Sequence, residues 1–343
     1  NGFAAMIDIP GLNYRAHRYK EAYDQLPQNL ILGSETASTV SSRGVYKFPV
    51  EDKKSATYDD HQCSSYDVEA CSWSNIPDED FALADDNHWT IGQFVWTGFD
   101  YLGEPSPYDT NAWPNHSSMF GIIDLASIPK DRYYLYRSVW NKKAETLHIL
   151  PHWTWPGREG KVTPVFVYTN HPTAELFING KSYGKQSKNN SSLKNRYRLM
   201  WMDAVYEPGE IKVVAYNKDG KAVAEKIVRT AGKPHHIELV SNRNELTADG
   251  KDLAYITVKV VDKDGNLCPA DSRQINFSVK GAGKYRAAAN GDPTNLEQFH
   301  LPKMHTFNGM LTAIVQSGET AGEIVLTAKA SGVKAGNIRI QTK

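Results

Sequence analysis

Cysteine is scarce in this chain, and neither sign of charge is in excess. Three cysteines, Cys63, Cys71 and Cys268, in 343 residues exclude a scaffold built on disulfides. Cys63 and Cys71 share one polar stretch and can either pair or remain free thiols, so cysteine use does not define a compartment. Lys plus Arg, 39, equals Asp plus Glu, 39. That balance removes the basic surface that nucleic acid or an anionic membrane selects. No apolar run reaches the roughly 18 residues that span a bilayer. Glycine-rich phosphate or dinucleotide motifs are absent, and the acidic residues do not fall at Ca²⁺-loop spacing. His235-His236 has no third ligand at metal spacing and reads as solvated linker, so neither a metal nor a cofactor is expected. The chain opens Asn1-Gly2-Phe3 with no initiator Met and no leader-like segment, as a mature, cleaved or truncated product would.

What the chain does have is a lone carboxylate at the end of an apolar run. In Ile31-Leu32-Gly33-Ser34-Glu35-Thr36-Ala37-Ser38, Glu35 is the one charged residue. Such a run predicts a buried parallel strand that presents Glu35 at its carboxyl end. In (β/α)8 barrels, catalytic groups sit at that end. A second run, Ile91 to Tyr101, has the same strand character and ends in aromatics and Asp100.

Around these runs, residues 1–143 alternate strand and helix patterns. Ala4 to Ile9 predicts a buried strand, Tyr19 to Leu26 a short helix stopped by Pro27, Phe81 to Asn87 a helix, and Tyr133 to Asn141 a closing helix. The polar stretch from Ser41 to Asp80 is irregular. This alternation implies βα units and a parallel sheet. From about residue 145 the pattern becomes all-β. Short strands such as Val165–Tyr168, Ala174–Ile178 and Ile211–Tyr216 are separated by the hairpin signals Asn179-Gly180 and Asp219-Gly220. A second set follows Lys233-Pro234, with strands at Ile237–Leu239, Ala254–Val261, Ile275–Val279 and Glu323–Ala328. Two immunoglobulin-like sandwiches, over 144–231 and 232–343, fit the lengths and spacings.

At these residues the chain resembles glycoside hydrolase family 2, in particular the β-galactosidases of Bacteroides-type bacteria. Gly11-Leu12-Asn13-Tyr14 is similar to the end of the sixth barrel strand, Ile31–Ser38 to the seventh, and Gly92-Gln93-Phe94-Val95-Trp96-Thr97-Gly98-Phe99-Asp100-Tyr101-Leu102-Gly103-Glu104-Pro105 to the eighth and its loop. Leu150–Gly157 and Glu175–Ser182 are similar to the sandwich that follows the barrel, and the last domain resembles invasin-type immunoglobulin modules. The resemblance implies the carboxyl-terminal part of a (β/α)8 TIM barrel, strands six to eight, followed by two immunoglobulin-like sandwiches. It implies a retaining β-galactosidase with Glu35 as nucleophile. The family's acid/base is a Glu after Asn on the fourth strand. No Asn-Glu precedes Glu35, and Asn244-Glu245 has the wrong context. The acid/base half of the site is therefore expected on an amino-terminal portion of the same enzyme, and this chain alone is expected to be inactive.

Each candidate has a plainer alternative. A retaining glycosidase needs two carboxyl groups about 5–5.5 Å apart; Glu35 serves as one of them, or is a salt-bridged strand-end Glu. Tyr14 donates to Glu35 or is a packed strand-end Tyr. Asn13 binds a sugar hydroxyl, and Asp100 and Glu104 bind sugar hydroxyls or hold the loop. Trp96 forms the sugar floor or part of the barrel core. Glu104 reads as loop-holding, Trp113 and His116 as a mobile entrance loop, and Trp153 and Trp155 as interdomain packing. The expected partners are a carbohydrate substrate and the missing amino-terminal portion, with a homo-oligomer left open and a periplasmic or secreted location. The rival reading is a non-catalytic carbohydrate-binding or adhesion protein built from the sandwiches. Three strands cannot close a barrel, so residues 1–143 are expected to be docked on missing chain or rearranged.

Overall fold

The computed structural model describes residues 2–109 and 112–343, so Asn1 lies outside it. Three short parallel strands, Gly11–Asn13, Ile31–Thr36 and Thr90–Val95, form one sheet with the Glu35 strand in the centre. Helices Tyr19–Gln25 and Pro77–Asp86 connect them, as the alternating pattern requires. The sheet is open. Phe94 is 65% and Ile91 50% exposed on the Thr90–Val95 edge. Ala4 to Ile9 does not form the expected buried strand. Phe3–Met6 is a 3-10 turn closed by the Ala5 amide on the Gly2 carbonyl, and the segment is exposed or half-buried. A strand needs a neighbour to pair its backbone, and the sheet's own first strand begins only after Pro10.

Two β-sandwiches follow. In the first, strands Leu147–Leu150, Val165–Thr169 and Leu199–Trp201 face strands Thr173–Ile178, Lys181–Ser187, Glu210–Tyr216 and Ala222–Arg229. Inward residues of both sheets, among them Val165, Val167, Leu176, Ile178, Ile211 and Val213, share one core. Asn179 and Gly180 both take positive φ, 48° and 80°, as a two-residue hairpin turn requires. In the second sandwich, strands His236–Ser241, Leu253–Val261, Gly283–Ala289 and Met310–Ser317 pack against strands Gln274–Gly281, Lys303–His305, Gly322–Lys329 and Gly336–Thr342, with the two-residue strand Glu245–Leu246 at one edge. His236 opens a strand and is half-buried, so the His235-His236 pair is not solvated linker.

Val165–Thr169 is buried at every position, because its sheet is covered on both faces. Leu150, Phe166 and Tyr168 point away from the sandwich core and pack with Phe81, Leu135 and Tyr136 of helices Pro77–Asp86 and Asp131–Trp140. Trp155 joins the same junction, stacked on His152 at 4.0 Å and edge-on to Phe48 at 5.4 Å. Trp153 instead lies wholly inside the first sandwich, donating its indole N–H to the Glu207 carbonyl at 2.9 Å. All three cysteines are buried free thiols. Among the described residues, no helix is long and apolar enough to cross a membrane.

Asp80, on helix Pro77–Asp86, is buried and accepts one hydrogen bond from Asn75 Nδ2 at 2.7 Å. Burial pushes its carboxyl from 3.8 up to about 7, against the Asn75 bond. The folded state thus binds more protons than the unfolded one between these values. The stabilisation from this site is complete below about pH 3.8 and is lost as pH rises through about 7. Asp80→Asn removes that titration. Relative to the parent, the variant should gain on the order of a few kcal/mol between about pH 4 and 8. Denaturant midpoints across that range test this, and a pH-independent difference would contradict it.

Candidate functional site

The central strand brings three strand ends together. Asn13 pairs with Glu35 across the sheet, the Tyr14 amide donates to the Glu35 carbonyl at 2.9 Å, and the Trp96 amide donates to the Thr36 carbonyl at 2.9 Å. Tyr14 and Ala37 have left-handed φ, 52° and 46°, so the chain turns sharply where each strand stops. Tyr14, Glu35 and Trp96 are all half-buried at the sheet's carboxyl edge. The Tyr14 phenol is pushed well above its usual range, first by burial and then by the Glu35 and Glu104 carboxylates, with Ser38 acting in the opposite direction. It therefore stays protonated and can donate to an anionic neighbour at neutral pH.

Trp96 packs one side on a cluster that includes Val40, Cys63, Cys71 and Phe120. Its Nε1 donates to the Tyr101 hydroxyl at 3.2 Å, and Tyr101 in turn donates to Glu104 Oε2. Burial and Glu104 raise the Tyr101 phenol, which keeps it a donor. Glu104 is exposed and has a φ of 47°. Tyr14, Glu35, Trp96, Tyr101 and Glu104 thus make a single polar-aromatic edge. Tyr101 was not legible as a site residue, and Glu104 read as loop-holding. Spacing along the strand could not show that a tyrosine five residues on would fold back onto Trp96.

The side chains of two other candidates have partners of their own. Asn13 Oδ1 accepts from Ser34 Oγ at 2.7 Å, which pairs its side chain with Ser34 rather than with Glu35. Asp100 is not a substrate-facing residue. It is buried, ion-paired with Lys130 Nζ at 2.6 Å, and accepts from the Gly121 amide at 2.8 Å. Burial lifts its carboxyl to about 6 and lowers the Lys130 ammonium, while their attraction opposes both shifts. Gly121 is obligatory here, since a Cβ would lie 2.2 Å from the Asp100 nitrogen. Arg132, also fully buried, donates to the Phe120 and Gly121 carbonyls at 2.7 and 2.9 Å. These two cations pin the returning loop beneath the end of the Trp96 strand.

The class so defined is a multidomain, mostly-β protein that presents a carboxylate at the end of a central parallel strand beside an aromatic edge. Residues 237–339 match glycoside hydrolase family 2 C-terminal domain 5, and residues 160–224 match a domain of unknown function (DUF4982). The chain is 39% identical to the beta-galactosidase BoGH2A of Bacteroides ovatus, over 99% of its own length and 40% of that protein's. It is 25% identical to a beta-glucuronidase of Formosa agariphila, over 76% of its own length and 26% of that protein's. The crystal structure of a beta-glycosidase from Bacteroides vulgatus superposes with a TM-score of 0.86 at 30% identity, covering 99% of this chain and 46% of that one. The chain belongs to glycoside hydrolase family 2. It spans less than half the length of each of these relatives.

Proposed function

We propose that the protein is a retaining β-glycosidase acting on terminal β-galactosides, and that Glu35 is its nucleophile. The observation that carries this reading is the convergence of Tyr14, Glu35 and Trp96 at the carboxyl ends of three neighbouring parallel strands. In such a reaction the Glu35 carboxylate attacks the anomeric carbon and forms a glycosyl ester. Tyr14, held protonated, stabilises the carboxylate, and Trp96 offers an aromatic face to the apolar face of the pyranose. Glu104, with one oxygen engaged by Tyr101, accepts hydrogen bonds from sugar hydroxyls.

The three strands belong, in this reading, to a (β/α)8 barrel. The exposed Phe94 and Ile91 support this, because parallel sheets are covered on both faces. The remaining strands, and the second carboxyl group that protonates the leaving oxygen and later activates water, come from polypeptide beyond these 343 residues. The relation to a named β-galactosidase favours galactose as the sugar.

Trapping tests the assignment. A 2-deoxy-2-fluoro-β-galactosyl probe with a good leaving group, applied to the polypeptide that carries this chain in a closed barrel, should label the peptide holding Glu35. A label on any other carboxylate rejects it. Labelling by the glucuronyl analogue alone rejects the choice of sugar.

A further inference from the structure

The second sandwich meets the loops beside the Glu35 site mainly through two segments, Phe307-Asn308 at Arg43 and Asn290 to Pro293, and the second of these reaches further toward the site. Arg43 Nη2 donates to the Asn290 carbonyl at 2.7 Å, while its Nε pairs with Asp124 at 2.5 Å in a buried ion pair. Gln62 Nε2 donates to Asp292 Oδ1 at 2.9 Å. The His116 amide donates to the Pro293 carbonyl at 3.1 Å. Gly291 has a φ of 81°, and a Cβ there would lie 2.0 Å from Asp124 Oδ2. The segment therefore closes on Asp124 with no room for a methyl group. Nearby, Asn308 Nδ2 donates to the Arg43 carbonyl at 2.7 Å.

Each contact leads to the aromatic edge. The His116 carbonyl accepts from the Gly103 amide at 2.8 Å, next to Glu104. The Gln62 carbonyl accepts from the Tyr108 hydroxyl at 2.8 Å, and the Tyr108 amide closes a turn on Pro105 at 3.0 Å. Asp124 follows Ile123, which is joined to Gly98 and Asp100 by backbone bonds of 3.1 and 2.9 Å. Both sides of Glu104 and the root of the loop are thus tied, through one to three intervening residues, to four consecutive residues of the carboxyl-terminal sandwich. The loop needs outside partners. Between Thr97 and Lys130 no α-helix and no multi-residue strand occurs among the described residues, only isolated bridges such as Phe99–Ile123 and Leu102–Ser117, and a loop of that length leans also on what it packs against.

We infer that segment 290–293 is a positioning element for the Trp96–Glu104 edge, acting through Gln62, His116 and Asp124 without touching the reacting groups. In its catalytic half this rests on the reading of Glu35 above. The test uses Gln62→Met, which removes the side-chain bond to Asp292 and keeps the length of the buried side chain, and Gly291→Ala as a wedge. Hydrogen exchange on the full chain should quicken about five- to tenfold in peptides covering 99–104 and 115–118, with the 31–37 strand unchanged. In the catalytically complete polypeptide, KM for a galactoside should rise several-fold with kcat less affected. A purely structural role would lower the amount of folded enzyme and leave KM alone. Unchanged exchange in both variants overturns the inference, as does faster exchange with unchanged KM. Failure to label Glu35 in the parent instead overturns the function proposed above, because the exchange result still reads the contact itself.

Discussion

In the polypeptide that carries this chain in a closed barrel, Glu35→Gln should lower kcat for an aryl β-galactoside by roughly 10⁴- to 10⁶-fold, the scale on which loss of a covalent nucleophile is felt. The amide has the shape of the carboxylate but neither its charge nor its nucleophilicity, so no glycosyl ester forms. Little else should change. The strand end is held by backbone bonds, from the Tyr14 amide to the Glu35 carbonyl and from the Trp96 amide to the Thr36 carbonyl, and neither involves the side chain. The Tyr14 phenol, relieved of one of the two carboxylates that raise it, should shift downward toward its ordinary range. Thermal unfolding within a degree or two of the parent, together with lost turnover, is the expected pair of results. Turnover within tenfold of the parent would place the nucleophile elsewhere.

Arg198→Met should be among the most damaging single changes to stability. Arg198 begins the return of the chain into the first sandwich, and both it and Asp78 are fully buried. Its Nε donates to Asp78 Oδ1 at 2.9 Å, and its Nη groups reach the Tyr66 and Asp67 carbonyls at 3.1 and 3.0 Å. One guanidinium therefore joins helix Pro77–Asp86, the irregular segment before it and the sandwich. Removing it leaves a buried carboxylate without its cation, which costs about 3–5 kcal/mol. Adding Asp78→Leu should recover part of that loss, but not the share owed to the two carbonyls. In a chain with several cores, the quantity to follow is the first denaturant transition. A midpoint unmoved by Arg198→Met would contradict this account of the junction.

The parts that were legible from sequence share a physical basis. Strand periodicity shows which face of each sandwich strand is buried, and Asn179-Gly180 is readable because only such residues accept two successive positive φ values. Glu35 stood out because a lone carboxylate ending an apolar run conflicts with burial unless it has a task. The misreadings also have a common cause. Asp100 reads as a sugar ligand or a loop-holding residue because it follows a strand of site-like composition, and what puts it in the loop-holding position is Lys130, thirty residues on. Ala4 to Ile9 read as buried because its residues are apolar, yet burial depends on what lies beside it.

By itself, then, the sequence determined the two all-β sandwiches, the hairpins and the strand that carries Glu35 near its carboxyl end, since each depends on residues close together in the chain. Only the tertiary structure decided that Asp100 is a buried half of an ion pair, that Tyr101 and Glu104 return to the Trp96 edge, and that Arg43 meets Asn290 across 247 positions. These are pairings between groups whose local preferences say nothing about one another, and they form only where packing brings two buried charges or two unpaired backbone groups within hydrogen-bond distance.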